Sequence, residues 1–193
     1  LAKKNTPDAP TPVFSRVEDT LFEARRVFVY GEINQALARD VTQKLVAMSE
    51  TSNDDIVIYI NSQGGHVESG DTIHDMIRFV KPRVKVVGTG WVASAGAHIF
   101  LAPERENRFC LPNTRFLLHQ PHGGVHGFAV DIGIEAQEIV KMRQRLNRII
   151  SEQTGQPLEK VEADTDRNFW MDAEQARDYG IVGQIVRSMS ELA

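Results

Sequence analysis

Two runs constrain the fold of this chain more than any other feature: "DDIVIYINS" at residues 54–62 and "VKVVGTG" at residues 84–90. Both are rich in β-branched residues and almost continuously apolar, which is the pattern of strands covered on both faces. Between them Val67, Ile73, Met76, Ile77 and Val80 recur at helical steps, and Pro82 stops the pattern. A strand, a helix and a second doubly covered strand make a crossover unit, so the two strands are parallel and share one sheet. The same order begins upstream, where "RRVFVYGEI" reads as a strand and Leu37, Val41, Leu45 and Met48 form the apolar stripe of a helix opened by Asn34. The fold class is therefore α/β.

Downstream the rhythm changes. "NRFCLPN" and "RFLLHQ" are strand-like, and the second runs into the glycine-rich stretch "PHGGVHG". A helix of roughly 25 residues then starts near Val130, too long to bury its whole length against a small domain, and is expected to project. Two short helical patterns, "PLEKVEADT" and "DAEQARDYG", precede a last strand in "IVGQIV", with Gly180 as the C-cap. The first twenty residues hold three prolines and scattered charge, so residues 1–20 are expected to be a flexible arm and residues 21–193 a single domain.

Composition narrows the function. A net charge of −4 offers nucleic acid no basic surface. The N-terminus "LAKKNTPDAPTP" lacks the apolar core of a signal peptide, and the weakly polar stretch 86–102 is shorter than a membrane span, so a soluble, cytoplasmic protein is expected. The single cysteine, Cys110, sits in an apolar strand and is read as a packing residue in a reducing compartment.

One hydroxyl stands out. In "GWVASAGAHIF", residues 90–100, Ser94 lies among small residues at the junction of a buried strand and a helix. It is either a packing serine bonded to its own backbone or a nucleophile on a tight turn beside free helical N–H groups. Six histidines are available as its base. His66, His74 and His98 fit ordinary surface or core positions, whereas His119 ends an apolar strand, where its ring can be fixed. His119, His122 and His126 are close in sequence, but a proline and two glycines break any common face and no acid adjoins them. No metal and no cofactor is assigned.

The segments "YINSQGG", "GWVASAGA", "RFCLPNTRFLLHQPHGG", "TGQPLEKVEADTDR" and "AEQARDYGIV", in this order, resemble the proteolytic subunit of the Clp protease, a serine peptidase family. The resemblance runs from about Leu21 to Val186. It implies a crotonase-like spiral of ββα units with a projecting handle helix, and subunits stacked as two seven-membered rings around a chamber. By matched position, Ser94 is the nucleophile, His119 the general base, and Gly65 and Ala95 the donors of the oxyanion hole. A glycine at 65 suits a backbone donor that needs no Cβ in the substrate's way, and the glycine-rich segment past His119 suits an extended peptide pairing as an added strand. Asp166 and Arg167 match a pair at the ring-to-ring contact, and Tyr59 and Phe109 match the surface on which an unfoldase docks.

The departures are as informative. Asn168 stands where the family has its third catalytic residue, an aspartate; its carbonyl can orient an imidazole but brings no charge, and Asp164, Asp166 and Asp172 are nearby alternatives. Gln63 replaces a proline in the glycine turn, Ala95 replaces a methionine after the serine, and Val57 replaces an aromatic at the docking surface. The arm does not resemble the family's pore-gating segment. The resemblance implies an ATP-independent endopeptidase subunit that degrades unfolded polypeptides fed by a separate AAA+ unfoldase, since the chain has no phosphate-binding P-loop. Two other readings are a weakly active structural or regulatory subunit of a mixed ring with a paralogue, and a crotonase-type acyl-CoA enzyme, which would need catalytic carboxylates in place of Ser94 and His119.

Overall fold

The computed structural model describes residues 13–121, 123, 124 and 126–192. Residues 13–20, expected in the arm, are the first turns of helix α1 (Val13–Glu23); the remainder of the arm lies outside the described residues. Leu21 and Phe22 border a hollow beside Val27 and Met48, which gives the end of this helix an apolar seat on the domain.

Strand β1 (Arg26–Ile33) leads into α2 (Gln35–Thr51), β2 (Ile56–Gly65), α3 (Val67–Phe79) and β3 (Val84–Ala93), the expected alternation. Both β1–β2 and β2–β3 are parallel. Ile56, Val57, Ile58 and Ile60 are no more than 2% exposed, which explains why β2 has no polar face. The Asn34 side chain caps α2 by accepting from the Leu37 N–H at 3.0 Å, and Ala38, Val41, Leu45 and Met48 turn inward from that helix.

Strand β3 is shared. Its first half pairs with β4 (Arg108–Cys110) through Val86 to Gly88, and its second half pairs with β5 (Arg115–Leu118) through Trp91 to Ala93. Gly90 divides the halves with φ +62°, and a side chain there would press on Asn61. Beyond β4 lies β7 (Gln184–Ile185), while β6 (Phe169–Met171) pairs antiparallel with β5. The sequence reading misses β6, because three residues carry no measurable periodicity. At this corner Trp91 and Trp170 stack with centroids 6.4 Å apart, and the Arg115 guanidinium lies 4.4 Å from the centre of the Trp170 ring.

Helix α4 (Ala95–Phe100) follows β3 without a linker apart from Ser94. The long helix α5 (Ala129–Thr154) buries Asn147, Ile150 and Thr154 near its end and leaves Phe128, just ahead of it, together with Val130, Ile134 and Val140 exposed, so its first half does project. Helices α6 (Leu158–Asp164) and α7 (Ala173–Tyr179) close the fold, α7 with a capping box between Asp172 and Gln175 and with Gly180 at φ +100° as its C-cap. Arg108, 1% exposed, donates to carbonyls of Pro103, Gly180, Ile181 and Gln153 and so ties α5 and the end of α7 to the sheet. Among the described residues no helix is long and apolar enough to cross a membrane, and no three metal-ligating side chains converge.

Candidate active site

Ser94 occupies a sharp elbow between β3 and α4. Its φ of 55° and ψ of −121° lie outside the regions that residues with a Cβ ordinarily adopt, a strain of about 1–3 kcal/mol that the surroundings must offset. Two bonds hold it: the Ser94 N–H donates to Leu117 O at 2.9 Å, and the Ser94 carbonyl accepts from the His98 N–H at 3.1 Å. Val92, Ala93 and Ala95 on either side are buried in the core, while Ser94 is half-buried and borders a cleft.

The glycine turn at the end of β2 faces this elbow. Buried Ser62 organises the turn, its hydroxyl donating to Gly31 O at 2.5 Å and accepting from the Gly64 N–H at 3.0 Å. The Gln63 amide, oriented to suit, bridges Gly31 O at 3.2 Å and the Glu32 N–H at 3.3 Å, so the turn is well formed without a proline. Gly64 is the glycine packed on Ser94. Gly65, at φ +147°, pairs with Ile33, and a Cβ on it would collide with the Ile33 backbone. Strand pairing, rather than clearance for the substrate, is therefore what demands glycine at 65, although Gly65 does border the cleft.

His119 directly follows β5. A cleft of about 220 Å³ opens between Gly65, Ser94, His119 and Pro121, so the strand ends bring together three of the residues singled out in the sequence. Ala95 borders a second, narrower cavity of about 30 Å³ that adjoins the first at Ser94 and His119 and is walled by Val67, Leu118, His98, Leu146 and Ile150. As the first residue of α4, Ala95 has an N–H without an acceptor inside the helix. Among the described residues between Leu118 and Phe128 no strand is assigned; His122 and Val125, part of the segment expected to pair with an added strand, lie outside the described residues.

Asn168 sits where the antiparallel register puts it. Leu117 faces Trp170 and Leu118 faces Phe169, so the next step sets His119 opposite Asn168, which is exposed. The neighbouring acids are engaged elsewhere. Asp164 accepts from Lys160 at 2.6 Å and from the Tyr179 hydroxyl at 2.8 Å, which, after burial, helps push that phenol above its usual range. Asp166 faces Gln120 and Arg143, and Asp172 caps α7. Arg167 donates to Asp166 O at 2.7 Å with a side chain 84% exposed.

Tyr59 and Phe109 lie together away from the cleft, in an apolar cluster with Val57, Val87, Val186 and Leu192, where Phe28 stacks on Tyr59 at 5.2 Å. The sequence reading misses one cluster altogether. His98 is buried against His74, their rings parallel with centroids 4.4 Å apart, and its Nε2 lies 2.9 Å from Asp71 Oδ1, close but poorly aligned for a hydrogen bond. Burial alone would raise the Asp71 carboxyl, but His98 and the two-pronged Arg145 contact at 2.8 and 2.7 Å hold it well below the usual carboxylate range. The one local signal was spacing: His98 stands one helical turn after Ser94.

The sequence matches the Clp protease family over residues 11–189. It is 59% identical to the ATP-dependent Clp protease proteolytic subunit 3 of Rhizobium etli, over 94% of this chain and 93% of that protein. It is 56% identical to the ATP-dependent Clp protease proteolytic subunit 2 of Gluconobacter oxydans, over 96% and 90%. Among solved structures, ClpP1 from Listeria monocytogenes superimposes with a TM-score of 0.84 at 56% identity, over 92% of this chain and 99% of that one; an asparagine-to-aspartate mutant of the same protein gives 0.86. With a parallel sheet, a projecting helix and a serine elbow facing a histidine across one cleft, the chain belongs to the Clp protease family and is a serine-type endopeptidase subunit of the ClpP kind.

Proposed function

We propose that Ser94 and His119 carry out peptide hydrolysis through an acyl-enzyme. Ser94 Oγ attacks the scissile carbonyl while His119 takes its proton; the tetrahedral oxyanion is met by the N–H groups of Gly65 and Ala95; and the amine leaves with the proton from His119. Water then repeats the sequence to release the acid. Asn168 orients the His119 ring without contributing charge. The observation that carries this reading is the shared cleft: a strained serine and a histidine at a strand end border one opening together with Gly65.

Self-association into stacked seven-membered rings, with Asp166 and Arg167 at the contact between rings, is supported by the exposed first half of α5 and by the exposed Arg167 head, whose neighbour Asp166 reaches Arg143 of the same helix. Unfolded polypeptide delivered by an ATP-driven unfoldase, docked near Tyr59 and Phe109, is the corresponding substrate route. A reducing, cytoplasmic setting suits Cys110, whose buried thiol is pushed up to about 12 and packs as an apolar residue.

Labelling of the assembled protein by a fluorophosphonate tests the reading. Attachment at Ser94, lost in Ser94→Ala together with peptide hydrolysis at unchanged particle mass, is the expected result; hydrolysis equal to the parent's in Ser94→Ala would overturn it. The exposed, uncharged Asn168 favours a second reading, a weakly active subunit that completes a mixed ring with a paralogue. Hydrolysis that is slow for this chain alone and fast only in the mixed ring distinguishes it.

A further inference from the structure

The narrow cavity beside Ser94 has one wall made of side chains that belong to three helices. Its volume of about 30 Å³ holds about two or three water molecules, enough for a small aliphatic side chain and too little for an aromatic one. On one side the walls cannot recede: a Cβ on Gly70 would lie 3.2 Å from Ala95 Cβ, and one on Gly96 would lie 3.2 Å from Ser62 Cβ, so α4 is already seated against α3 and β2. On the other side His98 fills the space. Its ring is clamped between the parallel face of His74 and the carboxylate of Asp71. Asp71 in turn holds Arg145, the residue of α5 immediately before Leu146 and Asn147, which line the same cavity.

We infer that His98 sets the size limit for the substrate side chain that precedes the scissile bond, and that Asp71, by tying His98 to Arg145, is the positioning residue that keeps the two walls at that separation. The inference rests on Ser94 being the nucleophile, since only then does the adjoining cavity receive that side chain. The favoured substrates are cut after small aliphatic residues, and aromatic residues are excluded by the imidazole rather than by the apolar walls. His98 is placed here as a wall of the cavity, so its effect is expected on selection, with the proton transfer left to His119.

The test uses short acetylated peptides ending in valine or phenylalanine as free acids, which need no covalent step, competing with a fluorescent peptide on the assembled protein. The parent should bind the valine peptide at least tenfold tighter than the phenylalanine peptide. His98→Ala should bring the two within about threefold by strengthening the phenylalanine peptide, and His98→Phe, which keeps a ring of similar breadth, should retain the parent's preference. Asp71→Asn and Arg145→Gln should each reduce the preference at least threefold; Arg145 is half exposed, so this variant reads the effect even where His98→Ala fails to assemble. The inference is overturned if the parent has no preference, if neither peptide binds, or if the variants weaken both peptides in parallel. A protein whose Ser94 takes no fluorophosphonate would sink the proposed catalysis and, with it, the assignment of this cavity to that side chain, whereas a labelled Ser94 with no preference between the peptides would sink the size limit alone.

Discussion

A methyl group placed on Gly64 would lie 2.6 Å from Ser94 Cβ and 3.1 Å from Ser94 Oγ. Gly64 belongs to β2 and Ser94 directly follows β3, so the position of Ser94 is set by how closely the glycine turn of one strand approaches the elbow after the next. Gly64→Ala should therefore push Ser94 off its position, and the φ of +99° at Gly64 adds backbone strain. A displacement near 1 Å costs on the order of a hundredfold in rate. Acylation of Ser94 by a fluorophosphonate should fall by at least that factor, and an unchanged acylation rate would show that the turn yields without moving Ser94.

Asn168→Asp should raise acylation of Ser94 and peptide turnover together by roughly tenfold, about 1.4 kcal/mol, because a carboxylate opposite His119 stabilises the imidazolium that the attack creates. Crowding by other acids does not oppose this: Asp164 is paired with Lys160 and Asp166 with Arg143. Acylation rates of the two proteins at equal particle mass decide it, and a slower variant would remove Asn168 from the site.

His74 gives the protein an acid-sensitive core. Burial and then the adjacent His98 lower its pKa from 6.5 to about 4, outweighing Asp75 at 3.0 Å. Between those values the unfolded chain binds a proton that the native state does not, so stability is complete above about pH 6.5 and is lost as pH falls toward 4. From pH 7 to pH 5 the loss is about 2 kcal/mol, or roughly 4–8 °C in the thermal midpoint of a chain this long. His74→Phe should remove most of that slope; equal slopes in thermal scans of the two proteins would contradict it.

Arg167→Glu should lower the particle mass to that of a single ring and lower hydrolysis with it. In the parent the guanidinium is tethered to Asp166 and otherwise exposed, and at the ring contact proposed for it a reversed sign would set like charges against each other. Sedimentation velocity reads the mass directly. A variant of full mass and full activity would place the ring contact elsewhere.

The parallel sheet was legible because each doubly covered strand, such as Ile56 to Ile60, writes its burial into consecutive residues, and α2 and α5 write theirs as periodic stripes. The readings of Ser94 as nucleophile and His119 as base came only through the family resemblance, since neither residue carries a local mark that separates nucleophile from packing residue. The register that sets Asn168 opposite His119 was invisible, because β6 has three residues and its pairing with β5 is a tertiary fact. So was the group of Asp71, His98 and Arg145: each is an ordinary polar residue on its own helix, and only the crossover connections bring α3, α4 and the inner end of α5 to one point. The reason for glycine at 65 was misread on the same ground, as Ile33 lies 32 positions away in sequence and next to it in the sheet.

The corner where Trp91 lies over Trp170 carries its own reporter. These are the chain's two tryptophans, one three residues before Ser94 and the other two residues after Asn168, and Arg115 stands against the second. All intrinsic indole emission from a subunit therefore originates at β3 and β6, the strands next to Ser94 and Asn168. Parting of β5 and β6 from β3 unstacks the pair while Arg115 stays with Trp170, so emission wavelength follows the opening of this corner in the native particle, without a label and without a substrate.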